Sequence, residues 1–102
     1  MKLFDYECFT MFWEDFTIAE RCGGIPAIKD TYKRAFNEWK HDYKYLTELV
    51  MILNHKIWQW YDDGGTHAEI ARTYSKLWEE ARDYAETHLK DEELDYYWRI
   101  TD

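Results

Sequence analysis

The sequence predicts an all-α fold, a compact bundle of about five helices around a central apolar helix spanning 43–61. Three observations lead there. Apolar and aromatic side chains recur at three-and-four spacing along most of the chain, the period of a helix face. One proline and four glycines in 102 residues leave few places for turns. No stretch alternates polar and apolar residues for long enough to make a strand. The length suits one domain, 1–102, just large enough for a single self-supporting core.

The first helix is predicted over 7–22, with Phe9, Phe12, Trp13, Phe16 and Ala19 on one side and Glu14, Asp15, Glu20 and Arg21 elsewhere. Asp5 or Thr10 is its candidate cap. Gly23-Gly24 ends it, one glycine supplying the left-handed position after the helix. Pro26 opens the next helix, 26–40, where its missing N–H costs little. Ile28, Tyr32, Ala35, Phe36 and Trp39 form the apolar stripe of that segment. His41-Asp42 predicts a bend, with Asp42 capping the helix after it.

In 43–61, Tyr43, Leu46, Leu49, Val50, Leu53, Ile57, Trp60 and Tyr61 share a face, and the run Leu49-Val50-Met51-Ile52-Leu53 fills the other angles. A helix apolar nearly all round needs neighbours on most sides. It is too short, and too interrupted by Glu48, Asn54, His55 and Lys56, to cross a bilayer. Asn54 beside the stripe reads either as a hydrogen-bonded internal amide that fixes register or as a polar spot in a cleft. Asp62-Asp63-Gly64-Gly65 is the clearest turn, and Thr66-His-Ala-Glu69 has the form of a capping box. The helix it starts, 67–89, holds Ile70, Tyr74, Leu77, Trp78, Ala81, Tyr84, Ala85 and His88 at strict spacing. Asp91 then caps a last helix, 92–99, presenting Leu94, Tyr97 and Trp98.

Hydrophobic content of 46% excludes a disordered chain. Six Trp, nine Tyr and five Phe make it 20% aromatic, enough to thicken a small core and to supply recognition surface. No apolar leader comes after Met1-Lys2, so a cytoplasmic address is expected. Cys8 and Cys22 are fourteen residues apart, about 21 Å along a helix, too far for a disulfide. Reduced, buried thiols fit that compartment.

The net charge of −8 is unevenly placed: −3 over residues 1–26, +2 over 27–61 and −7 over 62–102. An acidic C-terminal third does not grip phosphate, so no direct nucleic-acid contact is expected there. Lys29, Lys33, Arg34, Lys40 and Lys44 interleave with Tyr32, Tyr43 and Tyr45, outwardly like a nucleic-acid groove. Asp30, Glu38 and Asp42 dilute it. Pairing with the acidic third, within one chain or between copies, explains these cations better.

Catalytic patterns are missing. The one Glu-x-x-His triplet, Glu38 to His41, lacks the second triplet and further inward Glu that a carboxylate metal site needs. His55, His67 and His88 lie at no ligand spacing, and no C-x-x-C pair occurs. The glycine pairs are helix stops and not phosphate loops. No enzyme, metal or cofactor is expected.

What remains is the run from Glu79 to Asp95, where Glu79, Glu80, Asp83, Glu86, Asp91, Glu92, Glu93 and Asp95 face only two basic residues. Carboxylates spaced along a rigid helix imitate phosphates and attract the Lys/Arg channel of a nucleic-acid enzyme. These eight are the expected partner-binding residues.

Three stretches, Phe9 to Glu20, Asp30 to Lys40 and Tyr43 to Trp58, together with the ending Tyr96-Tyr-Trp-Arg-Ile-Thr-Asp102, resemble a family of roughly hundred-residue proteins carried on bacterial mobile elements. The resemblance carries no functional residues across. It implies a context in which small acidic proteins counter host defence, including CRISPR effectors and restriction nucleases. The expected function is therefore a non-catalytic, anti-CRISPR-like inhibitor whose acidic surface meets a basic partner. The alternative is a regulatory or assembly protein of the mobile element acting through an aromatic homodimer interface.

Overall fold

The central helix of the bundle packs against each of the other four helices. The computed structural model describes residues 6–61 and 68–101, their side chains from residue 11 onward. Within those limits the chain forms α1 (Tyr6–Cys22), α2 (Gly24–Trp39), α3 (Tyr43–Tyr61), α4 (Ala68–His88) and α5 (Glu92–Thr101), with no strand among the described residues. The all-α bundle around 43–61 is the observed fold.

The breaks follow local chemistry. The amide of Gly23 closes α1 on the Ala19 carbonyl at 3.0 Å, and Gly24 takes φ +69, which glycine adopts without a Cβ penalty. α2 starts two residues before Pro26, which sits in the first turn, where amides have no partner within the helix. Asp42 separates α2 from α3. Its Oδ1 accepts from the amides of Lys44 (3.0 Å) and Tyr45 (3.3 Å), and its carbonyl accepts from Leu46. Asp91 precedes α5 as expected, but contributes its backbone: φ is +55 and the carbonyl accepts from the Asp95 amide at 3.0 Å. Thr10 lies inside α1 and so does not cap it. Asp5, the turn at 62–65 and Thr66 of the capping box lie outside the described residues.

Leu46, Leu49, Ile52 and Leu53 of α3 are completely buried. Phe12 and Phe16 of α1, Ile28 and Tyr32 of α2, Tyr74 of α4 and Tyr97 of α5 surround them. Ala71, Ala81 and Ala85 give α4 a smooth inner face, which allows its close, extensive contact with α3. Most aromatics act as core filler, in edge-to-face pairs such as Phe16 with Tyr74 (5.7 Å) and Phe36 with Tyr84 (5.0 Å). Trp58, Tyr61 and Trp98 are exceptions, exposed by 62%, 55% and 45%. The result measures 41 × 26 × 25 Å.

Candidate functional site

All eight predicted carboxylates are exposed, but they do not form one uniform patch. At 100° per residue, Glu79, Asp83 and Glu86 fall within about 60° of one another on the outer side of α4. Glu80 is turned toward α2, where burial first and the Glu80 charge second hold the Tyr32 phenol well above its ordinary value. Asp83 and Glu86 reach toward α5: the Tyr97 phenol is pushed up to about 12, chiefly by burial and then by Glu86.

Glu92, Glu93 and Asp95 occupy the first turn of α5, where negative charge complements the helix dipole. Part of their placement is therefore structural.

Arginines partly neutralise the surface. Arg82 Nη2 lies 3.4 Å from Asp83 and its Nε 4.0 Å from Glu86, while Arg99 meets Asp95 at 2.8 Å. These pairs are exposed and individually weak. Among the described residues, Glu79, Glu80, Asp91, Glu92 and Glu93 make no ion pair.

The basic residues of α2 and its flank do not supply the missing partners. No ion pair within the chain joins Lys29, Lys33, Arg34, Lys40 or Lys44 to the acidic third among the described residues, so the intramolecular pairing expected from charge is not realised. Lys40 and Lys44 instead lie over the rings of Phe36 and Tyr43, at 5.8 and 5.9 Å. The tyrosines among them serve the fold: Tyr32 is buried, Tyr43 meets Tyr96 edge-on and Tyr45 packs on Trp39. A stacking groove for nucleic acid needs free aromatic faces, and these are committed.

The surface also carries concavities. A groove of about 470 Å³ runs between α1 and α2, floored by Phe12 and Ala19 and edged by Met11, Ile18, Asp15 and Arg34. Cys22 lines its end and is exposed, which corrects the expectation of a buried thiol: the residue closes α1 at the glycine turn, beyond the reach of the core. A second cleft of about 210 Å³ lies between α3, α4 and α5 and takes in Asn54, half-buried at its edge. Asn54 is thus a polar spot in a cleft.

A buried polar contact joins α3 to α1 at Lys56. This side chain is wholly buried, with Nζ 2.9 Å from Thr17 Oγ1, 3.1 Å from Glu20 Oε2 and 3.9 Å from the centre of the Trp13 ring. Glu20 also accepts from Trp60 Nε1 at 3.1 Å and from the Tyr74 hydroxyl. Burial pulls the Lys56 ammonium below its ordinary value, with Glu20 opposing. The polar groups converge on one another, so the network acts as an interhelical lock. Lys56 comes three residues after Leu53 and four after Ile52, at a position of the apolar stripe where the sequence alone reads as an interruption.

No group of three His, Cys, Asp or Glu side chains is placed to hold a metal ion among the described residues. His88 is exposed, stacked on Tyr84 at 3.9 Å and 3.0 Å from the Tyr84 carbonyl, so it extends the α4 stripe without entering the core. No helix of the described residues is long and apolar enough to cross a membrane. Comparison with protein-family models, curated proteins and solved structures finds no match.

Proposed function

We propose that the protein is a non-catalytic binding protein whose acidic α4–α5 surface engages a Lys/Arg-rich surface of a nucleic-acid enzyme, inhibiting a host defence nuclease such as a CRISPR effector. The observation that carries this reading is a set of eight exposed carboxylates on two helices and the turn between them, five of them without an ion pair among the described residues. A rigid helix holds such charges at fixed spacing, so a basic channel that binds phosphates meets a similar field. Encounter is then electrostatically steered and weakens with salt.

The test is reversal of Glu79, Glu80, Asp83 and Glu86 to Lys, with helicity checked by circular dichroism. Binding to a panel of CRISPR effectors and restriction nucleases, and inhibition of their DNA cleavage, is measured at low and high salt. Loss of binding in the reversed variant supports the reading. Binding that survives the reversal removes this surface from the mechanism.

One observation favours a second reading, an assembly protein working through an aromatic homodimer. Trp58 and Tyr61 stand exposed on α3 with ring centres 6.2 Å apart, and large exposed aromatics of this kind anchor interfaces. Sedimentation of the protein and of a Trp58→Ala variant decides it: a dimer that the substitution splits supports this reading, and a monomer at all concentrations excludes it.

A further inference from the structure

The cleft between α3, α4 and α5 has a chemistry that exposed carboxylates alone do not explain. Trp78, Tyr97 and Trp98 line it, with Arg82 and Glu86 among them. The Arg82 guanidinium carbon lies 4.6 Å from the centre of the Trp78 ring, and its Nε is 4.0 Å from the Glu86 carboxylate. One wall therefore already seats a guanidinium, held over an indole and beside an anion. That occupant is loosely held, since Arg82 and Glu86 side chains are 37% and 36% exposed. Trp98 stands 45% exposed beside them, with its ring 5.3 Å from that of Tyr97.

Indole and phenol faces carry negative potential and attract cations, and a neighbouring carboxylate strengthens the attraction. A planar guanidinium stacks on such faces better than an ammonium. An anionic ligand meets Glu86 and the nearby Asp83 charge, and Arg82, the cation between them, is already paired with both. A wholly apolar ligand strips water from Asn54, Arg82 and Glu86 and returns no hydrogen bonds. The volume of about 210 Å³ falls below the range of roughly 300–1,000 Å³ usual for whole small-molecule ligands and is of side-chain scale.

We infer that this cleft is a seat for an arginine side chain presented by the protein partner, which stacks on Trp98 and takes the place of the loosely held Arg82 over Trp78 and beside its counter-ion Glu86. The inference rests on the binding reading above and gives it an anchor point: carboxylates on α4 and α5 draw a basic surface in, and the cleft selects one arginine of it. A partner that covers these half-exposed groups would desolvate the contact, which is the usual form of an interface hot spot.

The free protein is sufficient for the test, so the result does not depend on which nuclease, if any, is inhibited. Capped arginine (N-acetyl-arginine methylamide) and its neutral isostere, capped citrulline, are titrated while the indole N–H resonances of Trp78 and Trp98 are followed by NMR. The expected result is saturable shifts centred on those two indoles, with arginine favoured over citrulline by about tenfold. Trp98→Ala and Glu86→Gln, both at exposed positions, should each weaken capped arginine by about fivefold or more. Equal binding of citrulline, shifts spread along the carboxylates of α4 with the indoles unmoved, or full affinity in Trp98→Ala would each overturn the proposal. Failure of the inhibition assay with intact arginine binding would count against the nuclease reading alone.

Discussion

Lys56 of α3 and Glu20 of α1 form an ion pair at 3.1 Å, the first side chain wholly and the second almost wholly withdrawn from water. A buried pair of this kind adds little net stability over apolar residues of the same shape, because desolvation offsets the attraction. Removing one partner is different, since it strands the other charge. Lys56→Met should therefore destabilise the fold by about 3–5 kcal/mol, a large share of the ~5–15 kcal/mol typical of a domain. The double variant Lys56→Met with Glu20→Gln keeps an acceptor for Trp60 and Tyr74 and should cost less than about 2 kcal/mol. Urea unfolding of the three proteins checks this. A Lys56→Met variant within about 1 kcal/mol of the parent would show that the pair does not lock α1 to α3.

The parts of the fold that depend on neighbours in sequence were legible beforehand. The stripe from Tyr43 to Trp60, the Gly23-Gly24 stop and the Asp42 break each arise from a few consecutive residues, and each stands where the periodicity puts it. The Lys56–Glu20 lock was not legible, because its members are 36 residues apart and a lysine in an apolar stripe reads as an interruption. The outward turn of the α4 carboxylates was visible from helical geometry. Their partial neutralisation was legible only in part: Arg82 with Glu86 and Asp95 with Arg99 stand at i,i+4 spacing, but side-chain reach and rotamer decide whether such pairs form. The three-helix cleft was also hidden, because Asn54, Arg82 and Trp98 come from separate elements.

The break between α2 and α3 depends on one carboxylate. Asp42 accepts two backbone amides of the first turn of α3, which have no intrahelical partner. Asp42→Ala should lower stability by about 1 kcal/mol, while Asp42→Asn or Asp42→Ser should lose less than half of that. Thermal unfolding monitored by circular dichroism measures it. Equal losses in all three variants would mean that the cap hydrogen bonds contribute nothing distinctive.

The turn before it has a purely conformational requirement. A Cβ at Gly24 would meet nothing within 4 Å, yet its φ of +69 is one that side chains rarely adopt. Gly24→Ala should cost about 1 kcal/mol with no change in the core, and Gly24→Asn less, because asparagine tolerates this region. Chemical denaturation gives the two values. A Gly24→Ala variant as stable as the parent would indicate that the backbone relaxes there.

Cys22 at the end of α1 offers a probe of the α1–α2 groove. Its thiol is exposed and lines that groove. Iodoacetamide should therefore modify it in the native protein at a rate within about tenfold of a small free thiol. Peptide mass mapping locates the label. Protection of Cys22 until the protein is unfolded would show that the groove is covered in solution, most directly by a second copy.

Alkaline pH should unfold the protein through its tyrosines. Burial raises the phenols of Tyr32, Tyr74 and Tyr97, with Glu80, Glu20 and Glu86 adding to it respectively. Above about pH 10 the unfolded chain releases these protons while the folded one holds them, so the native state binds more protons and stability falls as pH rises. For Tyr97, pushed up to about 12, the loss is about 2 kcal/mol by that pH. Lys56 works the other way. Its lowered value means that rising pH relieves a cost of folding, but only up to the ordinary lysine range of about 10.4. Three tyrosines outweigh one lysine beyond that point. Phenolate absorbance should accordingly rise in two stages, the exposed tyrosines first and the buried ones together with loss of helicity, and Tyr97→Phe should move the second stage to higher pH. A single reversible titration of every tyrosine near pH 10 with helicity intact would contradict the burial of these three rings.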